Sequence, residues 1–82
     1  MILVDITVPS LGKTYNFSLN ESVRVSDLID EITDMIEQRE HTKMDGDRIL
    51  LNLYDAKLGH VLNRTCSLTR NGVIPGHRLI LV

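Results

Sequence analysis

The sequence is poor in the residues that reactive or cross-linked proteins depend on. Cys66 is the only cysteine among 82 residues. A disulfide framework needs pairs, and a zinc or iron–sulfur centre needs clustered ligands, so both are excluded. A reducing setting in the cytoplasm is expected. The aromatics are few: Tyr15, Phe17 and Tyr54, with no tryptophan. None lies in a basic cluster where bases would stack, and a net charge of −2 gives no general attraction to phosphate backbones. Nucleic acid is therefore not an expected partner. No apolar run approaches the ~20 residues of a membrane span, so direct membrane insertion is not expected. Met1-Ile2-Leu3-Val4-Asp5 has neither the basic stretch nor the long apolar region of a signal peptide. Without that signal, the Asn-x-Ser/Thr triplets at Asn16, Asn20 and Asn63 read as chance. The five glycines are dispersed, so no phosphate-cradling loop is present.

Catalytic groupings are equally sparse. His41, His60 and His77 are spread through loops, with no nucleophile at a recognised spacing, and read as turn or surface histidines. Cys66 sits between Thr65 and Ser67 with no helix N-terminus evident beside it, which suits a half-buried structural thiol. Asp45-Gly46-Asp47 is too short for a calcium loop and reads as a turn. The expectation is a protein with no enzymatic activity, no metal and no cofactor.

What the chain does contain is aliphatic. Leu, Ile and Val supply 27 of the 82 residues, enough for one core and too few residues for a second, so a single domain over 1–82 is expected. Charge is unevenly spread. Residues 1–47 hold ten acids and four bases, a net −6; residues 48–82 hold one acid and five bases, a net +4. Such a split suggests one acidic and one basic face.

The apolar periodicity sets the elements. Ile2, Val4, Ile6 and Val8 alternate with Leu3, Asp5 and Thr7, which is a half-buried strand. Pro9-Ser10-Leu11-Gly12-Lys13 forms a turn, and Tyr15, Phe17 and Leu19 then alternate with Asn16, Ser18 and Asn20, so the two strands make a hairpin. The period next changes to helical. Val25, Leu28, Ile29, Ile32, Met35 and Ile36 share one face, and Asp27, Asp30, Glu31, Asp34, Glu37 and Gln38 the other. Ser26 is the expected N-cap. Residues 48–54 read as a third strand with Ile49, Leu51 and Leu53 inward, and Asp55 to Gly59 as a loop. His60-Val61-Leu62 is a short fourth strand, Pro75-Gly76 a type II turn, and 78–82 the last strand. The order β-β-α-β-β-β is that of an α+β protein: a mixed four- or five-stranded sheet covered by one helix, which is a β-grasp.

With those elements placed, the chain resembles a ubiquitin-like domain over nearly its full length. Gly12-Lys13-Thr14 before the alternating Tyr15, Phe17 and Leu19 is similar to the first ubiquitin hairpin. Leu68, Gly72-Val73, Gly76, Leu79 and Leu81 are spaced like the late segment of such folds. Within that superfamily the resemblance is to the YukD-like (EsaB-like) family, small bacterial proteins encoded with type VII (ESX/WXG100) secretion systems. It rests on Cys66-Ser67-Leu68, Gly72-Val73 and Gly76-His77-Arg78-Leu79, with the opening Val4-Asp5-Ile6-Thr7-Val8. The membrane component EccD carries a similar N-terminal domain.

The resemblance implies a cytoplasmic accessory or regulatory protein. Its partners would be proteins of the membrane-embedded secretion machinery, holding it at the inner face of the cell membrane. Modifiers and sulfur carriers of the superfamily need a Gly-Gly tail, whereas this sequence reads Leu81-Val82 at its end, so conjugation is not the expected mode. A modifier or sulfur carrier, and an excised EccD-like domain, stay open as alternatives.

Protein binding remains, and strand alternation names its residues. With Leu53 and Leu81 inward, Arg48, Leu50, Tyr54, Arg78, Ile80 and Val82 point outward on neighbouring strands. The expected patch is Leu50–Ile80–Val82 rimmed by Arg48 and Arg78, the sheet face through which ubiquitin-like domains commonly bind partners. The acidic helix face is a second candidate, for a basic partner or the basic face of another copy, giving a homo-oligomer.

Overall fold

The computed structural model describes residues 1–44 and 46–82. Five strands and one helix follow in order: β1 (Ile2–Val8), β2 (Lys13–Leu19), α1 (Val25–Glu40), β3 (Leu53–Asp55), β4 (His60–Val61) and β5 (Arg78–Leu81). They form one mixed sheet in the order β2-β1-β5-β3-β4. The β1–β5 pair is parallel and central; the other pairs are antiparallel. α1 lies across one face.

Period-two alternation builds the hairpin. Val4, Ile6, Val8, Tyr15, Phe17 and Leu19 are all buried beneath the helix. Pro9–Leu11 makes a short 3₁₀ turn, and Gly12 ends it at φ 63°, where a side chain would be strained. The helix buries Val25, Leu28, Ile29, Ile32 and Ile36 against the same face. Leu53, Leu79 and Leu81 complete the sheet side, and Leu62, Leu68 and Val73 close the core from the long segment before β5. Each fully buried aliphatic side chain contributes about 1.5–3 kcal/mol. The Pro75-Gly76 turn forms as the pair predicts, with Gly76 at φ 89° and the His77 amide donating to Ile74 O at 3.3 Å.

The start of α1 differs from the expectation. Arg24, not Ser26, occupies the N-cap position, and no side chain caps the helix. The free first-turn amides are satisfied from elsewhere in the chain: Val25 N donates to Cys66 O (2.9 Å) and Ser26 N to Arg64 O (3.0 Å). The N-terminus of α1 therefore lies beside Cys66, contrary to the sequence reading.

The third strand is also shorter. Arg48–Leu50 forms a 3₁₀ turn and only Leu53–Asp55 is strand. The Asp47 carboxylate accepts from Ile49 N (3.0 Å) and winds the turn. Arg48 reaches back to α1, bonding Asp34 at 2.7 Å and Glu37 at 2.8 Å. Arg64 holds the far side of the turn, donating to the carbonyls of Ile49 and, at 2.8 Å, Leu51. Ile49, expected inward, is 73% exposed in consequence. Asn52 resumes the ladder through reciprocal bonds with Val82 (2.7 and 3.0 Å). The Asp45-Gly46-Asp47 turn includes Asp45, which lies outside the described residues.

Candidate functional site

The sheet face away from α1 divides in two. On the β2–β1 side it is polar and internally bonded apart from Leu3 at the start of β1. Asn16 donates to Asp5 (2.9 Å), and the hydroxyls of Thr7 and Thr14 lie 3.0 Å apart. On the β5–β3–β4 side it is apolar. The register sets Ile80 opposite Tyr54, and Tyr54 opposite Val61, so three apolar side chains run side by side across three strands. Val82, two residues beyond Ile80 along the chain, is 53% exposed, and Val61 is 51% exposed. Arg78 is exposed at the opposite end of β5, paired in register with Asp5.

Four of the six expected residues, Tyr54, Arg78, Ile80 and Val82, thus share this face. The other two separate from them. Leu50 is exposed on the 3₁₀ turn, and the residue facing Ile80 is Tyr54 instead. Arg48 leaves the face for the α1 acids, because two carboxylates at hydrogen-bond distance hold a guanidinium better than open solvent. Val61 is the residue that sequence reading missed: a two-residue strand is too short to show its alternation. Leu3, 54% exposed, was legible as outward from the alternation of β1.

The acidic face of α1 is largely occupied. Asp34 and Glu37 bind Arg48, Asp27 lies 3.6 Å from Arg24, and Glu40 binds Lys13 at 2.6 Å. The Lys13 bond holds the Glu40 carboxyl below the usual carboxylate range and raises Lys13 in turn. The same contacts raise Arg48, chiefly through Asp34. Beneath them Tyr15 and Phe17 stack at 5.8 Å, with the Arg39 guanidinium 5.6 Å from both ring centroids. Burial pushes the Tyr15 phenol up, and the Glu40 charge adds to this.

A cleft of ≈ 580 Å³ at the hairpin turn is lined by Leu11, Met44, Leu51, Leu81 and Val82, with Lys43 its one titratable side chain. Among the described residues no group of three or more His, Cys, Asp or Glu is placed to hold a metal ion.

Against known proteins, the sequence matches no protein-family model and no curated protein. Its likeness is to solved structures. One is the ubiquitin-like domain of Arabidopsis thaliana protein At2g32350: 21% identity, 99% of this chain, 74% of that one, TM-score 0.72. A second is a chain of the MycP5-free ESX-5 inner membrane complex: 22% identity, 99% of this chain, 20% of that one, TM-score 0.81. A third is a computationally designed protein based on human erythrocytic ubiquitin: 23% identity, 100% of this chain, 90% of that one, TM-score 0.65. The fold is a ubiquitin-like β-grasp. No helix in the described residues is long and apolar enough to cross a membrane.

One feature of this β-grasp contradicts the sequence reading of its histidines. His77 is 9% exposed, and its Nδ1 lies 2.8 Å from Oδ2 of Asp55, which is fully buried at the end of β3 instead of opening a loop. The other Asp55 oxygen accepts from Lys57 N (2.8 Å) and Leu58 N (3.0 Å). With Asp55 ionised, Nδ1 carries the proton. The pair joins the β3–β4 turn to the turn before β5 and is a structural clasp.

Proposed function

We propose that this protein is a non-catalytic, ubiquitin-like accessory or regulatory protein of a bacterial type VII secretion system, acting by protein binding and not by conjugation. The observation that carries the reading is the apolar stripe Ile80–Tyr54–Val61 on the sheet face away from α1, with Val82 and Arg78 flanking Ile80 along the chain of β5. A stripe that leaves aromatic and aliphatic surface in water, beside a cation, is the composition of an interface centre and rim. The likeness to a chain of an inner membrane complex supports a partner in the membrane-embedded machinery, met at the inner face of the membrane. Binding of this kind uses no cofactor.

The test is a pull-down from detergent-solubilised membranes of cells carrying the secretion system, with wild type and Ile80→Asp. The reading expects capture of a machinery component by wild type and its loss in Ile80→Asp, with an unchanged circular dichroism spectrum. Equal capture by both refutes the face; no machinery component in either refutes the system.

A second reading is favoured by one number: this chain corresponds to 20% of the ESX-5 complex chain that it resembles. The same fold would then serve as the cytoplasmic ubiquitin-like domain of an EccD-like membrane component. An open reading frame continuing into long apolar spans supports that reading. A modifier or sulfur-carrier role would appear as a covalent adduct in the mass spectrum after incubation with ATP and cell extract.

A further inference from the structure

The two edges of the sheet are built very differently. β4 is two residues long, a short edge that gives another strand little to pair with. β2 is seven residues long, and after Lys13 at its start nothing blunts it: from Thr14 to Asn20 there is no charge, proline or glycine.

The hydrogen bonds show which groups that edge leaves free. Asp5 N donates to His77 O, and Leu3 O accepts from Gly76 N, so the odd residues of β1 turn their backbone groups toward β5. Alternation then turns Ile2, Val4, Ile6 and Val8 toward β2, where their register partners are Leu19, Phe17, Tyr15 and Lys13. The N–H and C=O groups of Thr14, Asn16 and Ser18 are left on the outer edge. Two of their side chains lean back onto β1, Thr14 to Thr7 and Asn16 to Asp5, and leave the edge open.

We propose that β2 pairs antiparallel with β2 of a second copy of this chain, continuing the sheet through a twofold axis at Asn16. The strand is self-complementary in this register. Thr14 faces the partner's Ser18, Asn16 faces the partner's Asn16, and Ser18 faces the partner's Thr14, so all three residues exchange backbone bonds. On the helix side the same register sets Tyr15 against the partner's Phe17, and Phe17 against the partner's Tyr15. Cross-strand aromatic pairs of this kind stabilise a sheet. Charge is compatible with the direction: Lys13, held by Glu40, opens the strand and Glu21, held by the Met1 amine, follows its end, so antiparallel pairing keeps like charges apart where parallel pairing would bring them together. A shallow groove lined by Met35, Gln38 and Arg39 runs along α1, whose Arg39 already covers Tyr15 and Phe17, and it receives the added strand's aromatic side.

The test is sedimentation equilibrium at protein concentrations from about 10 µM to 1 mM, a range that detects dissociation constants up to the millimolar level. Wild type is expected to approach twice the 9.3 kDa chain mass, with concentration-dependent amide shifts confined to Thr14–Ser18 and the groove residues Met35, Gln38 and Arg39. Asn16→Pro removes a central edge donor, and Asn16→Lys sets two like charges face to face; both are expected to be monomeric with native circular dichroism. In a Cys66→Ser background, Asn16→Cys is expected to oxidise to a covalent dimer, since directly opposed residues of such a pair lie about 5.5 Å apart at Cα. A wild type monomeric at 1 mM, amide shifts elsewhere, or a dimer that survives both Asn16 variants would overturn the proposal.

Discussion

Replacing Asp55 by alanine removes one carboxylate and strands three donors. The His77 ring is 9% exposed, so its Nδ1–H, 2.8 Å from Asp55 in the native protein, finds no ready solvent partner. An unsatisfied buried donor costs about 1–3 kcal/mol. The amides of Lys57 and Leu58 lose bonds of 2.8 and 3.0 Å to the other oxygen. Both residues are exposed, so water replaces part of that loss, leaving about 0.5–1.5 kcal/mol each. The sum, about 2–6 kcal/mol, is centred in the range for breaking a buried pair from one side. A domain of this size is stable by roughly 4–12 kcal/mol, so a central loss of about 4 kcal/mol removes a third or more of its stability. Urea unfolding followed by far-ultraviolet circular dichroism at neutral pH should show a midpoint roughly 3–4 M lower for that central loss, at a slope near 1–1.5 kcal/mol/M. The double variant Asp55→Ala/His77→Leu removes the stranded imidazole as well and should lose less than the two single changes together. A loss below about 1 kcal/mol for Asp55→Ala, or strict additivity in the cycle, would refute the clasp.

Three further outcomes follow from the same geometry. Ile32→Ala empties a fully buried position at the centre of α1 and should cost about 2–5 kcal/mol in the same urea assay without altering the unfolding slope. Gly76→Ala places a side chain at φ 89° with open space around it, so the cost is conformational, about 1–2 kcal/mol, read as a lower Tm with an unchanged spectrum. The Lys13–Glu40 bond has a definite pH sign. The Glu40 carboxyl is lowered from its ordinary 4.5, so its contribution is complete above that value and is lost as pH falls through the lowered one. The stability difference between wild type and Glu40→Gln should therefore be present at pH 7 and shrink below pH 4.5; a difference that grows on acidification would contradict the assignment.

Much of the fold was legible because its elements keep a single period. The hairpin, α1 and β5 each bury one regular stripe, and local alternation fixes which side chains point in. The misread parts depend on residues far away in sequence. The first turn of α1 is capped by carbonyls of Arg64 and Cys66, some forty positions on, so no local capping residue marks it. Residues 48–52 have the aliphatic composition of a strand. Asp47, the α1 acids and Arg64 instead fold the first three into a turn. The Asp55–His77 pair spans 22 residues, and each member taken alone reads as a loop residue. On the candidate face, strand parity placed Tyr54, Ile80, Arg78 and Val82 together. It failed for Arg48 and Leu50 because they do not lie on a strand, and it gave no reading of Val61.

Site-specific photo-crosslinking tests the proposal that the outer sheet face is the docking surface for a partner in the secretion machinery. A benzophenone amino acid replaces Tyr54, at the middle of the apolar stripe, or Glu31, exposed on the outer face of α1. Each variant is irradiated in cells that carry the secretion system. An adduct with a membrane component is expected from position 54, absent when Ile80→Asp is added, and none from position 31. Adducts from position 31 alone, or a position 54 adduct indifferent to Ile80→Asp, would contradict that proposal.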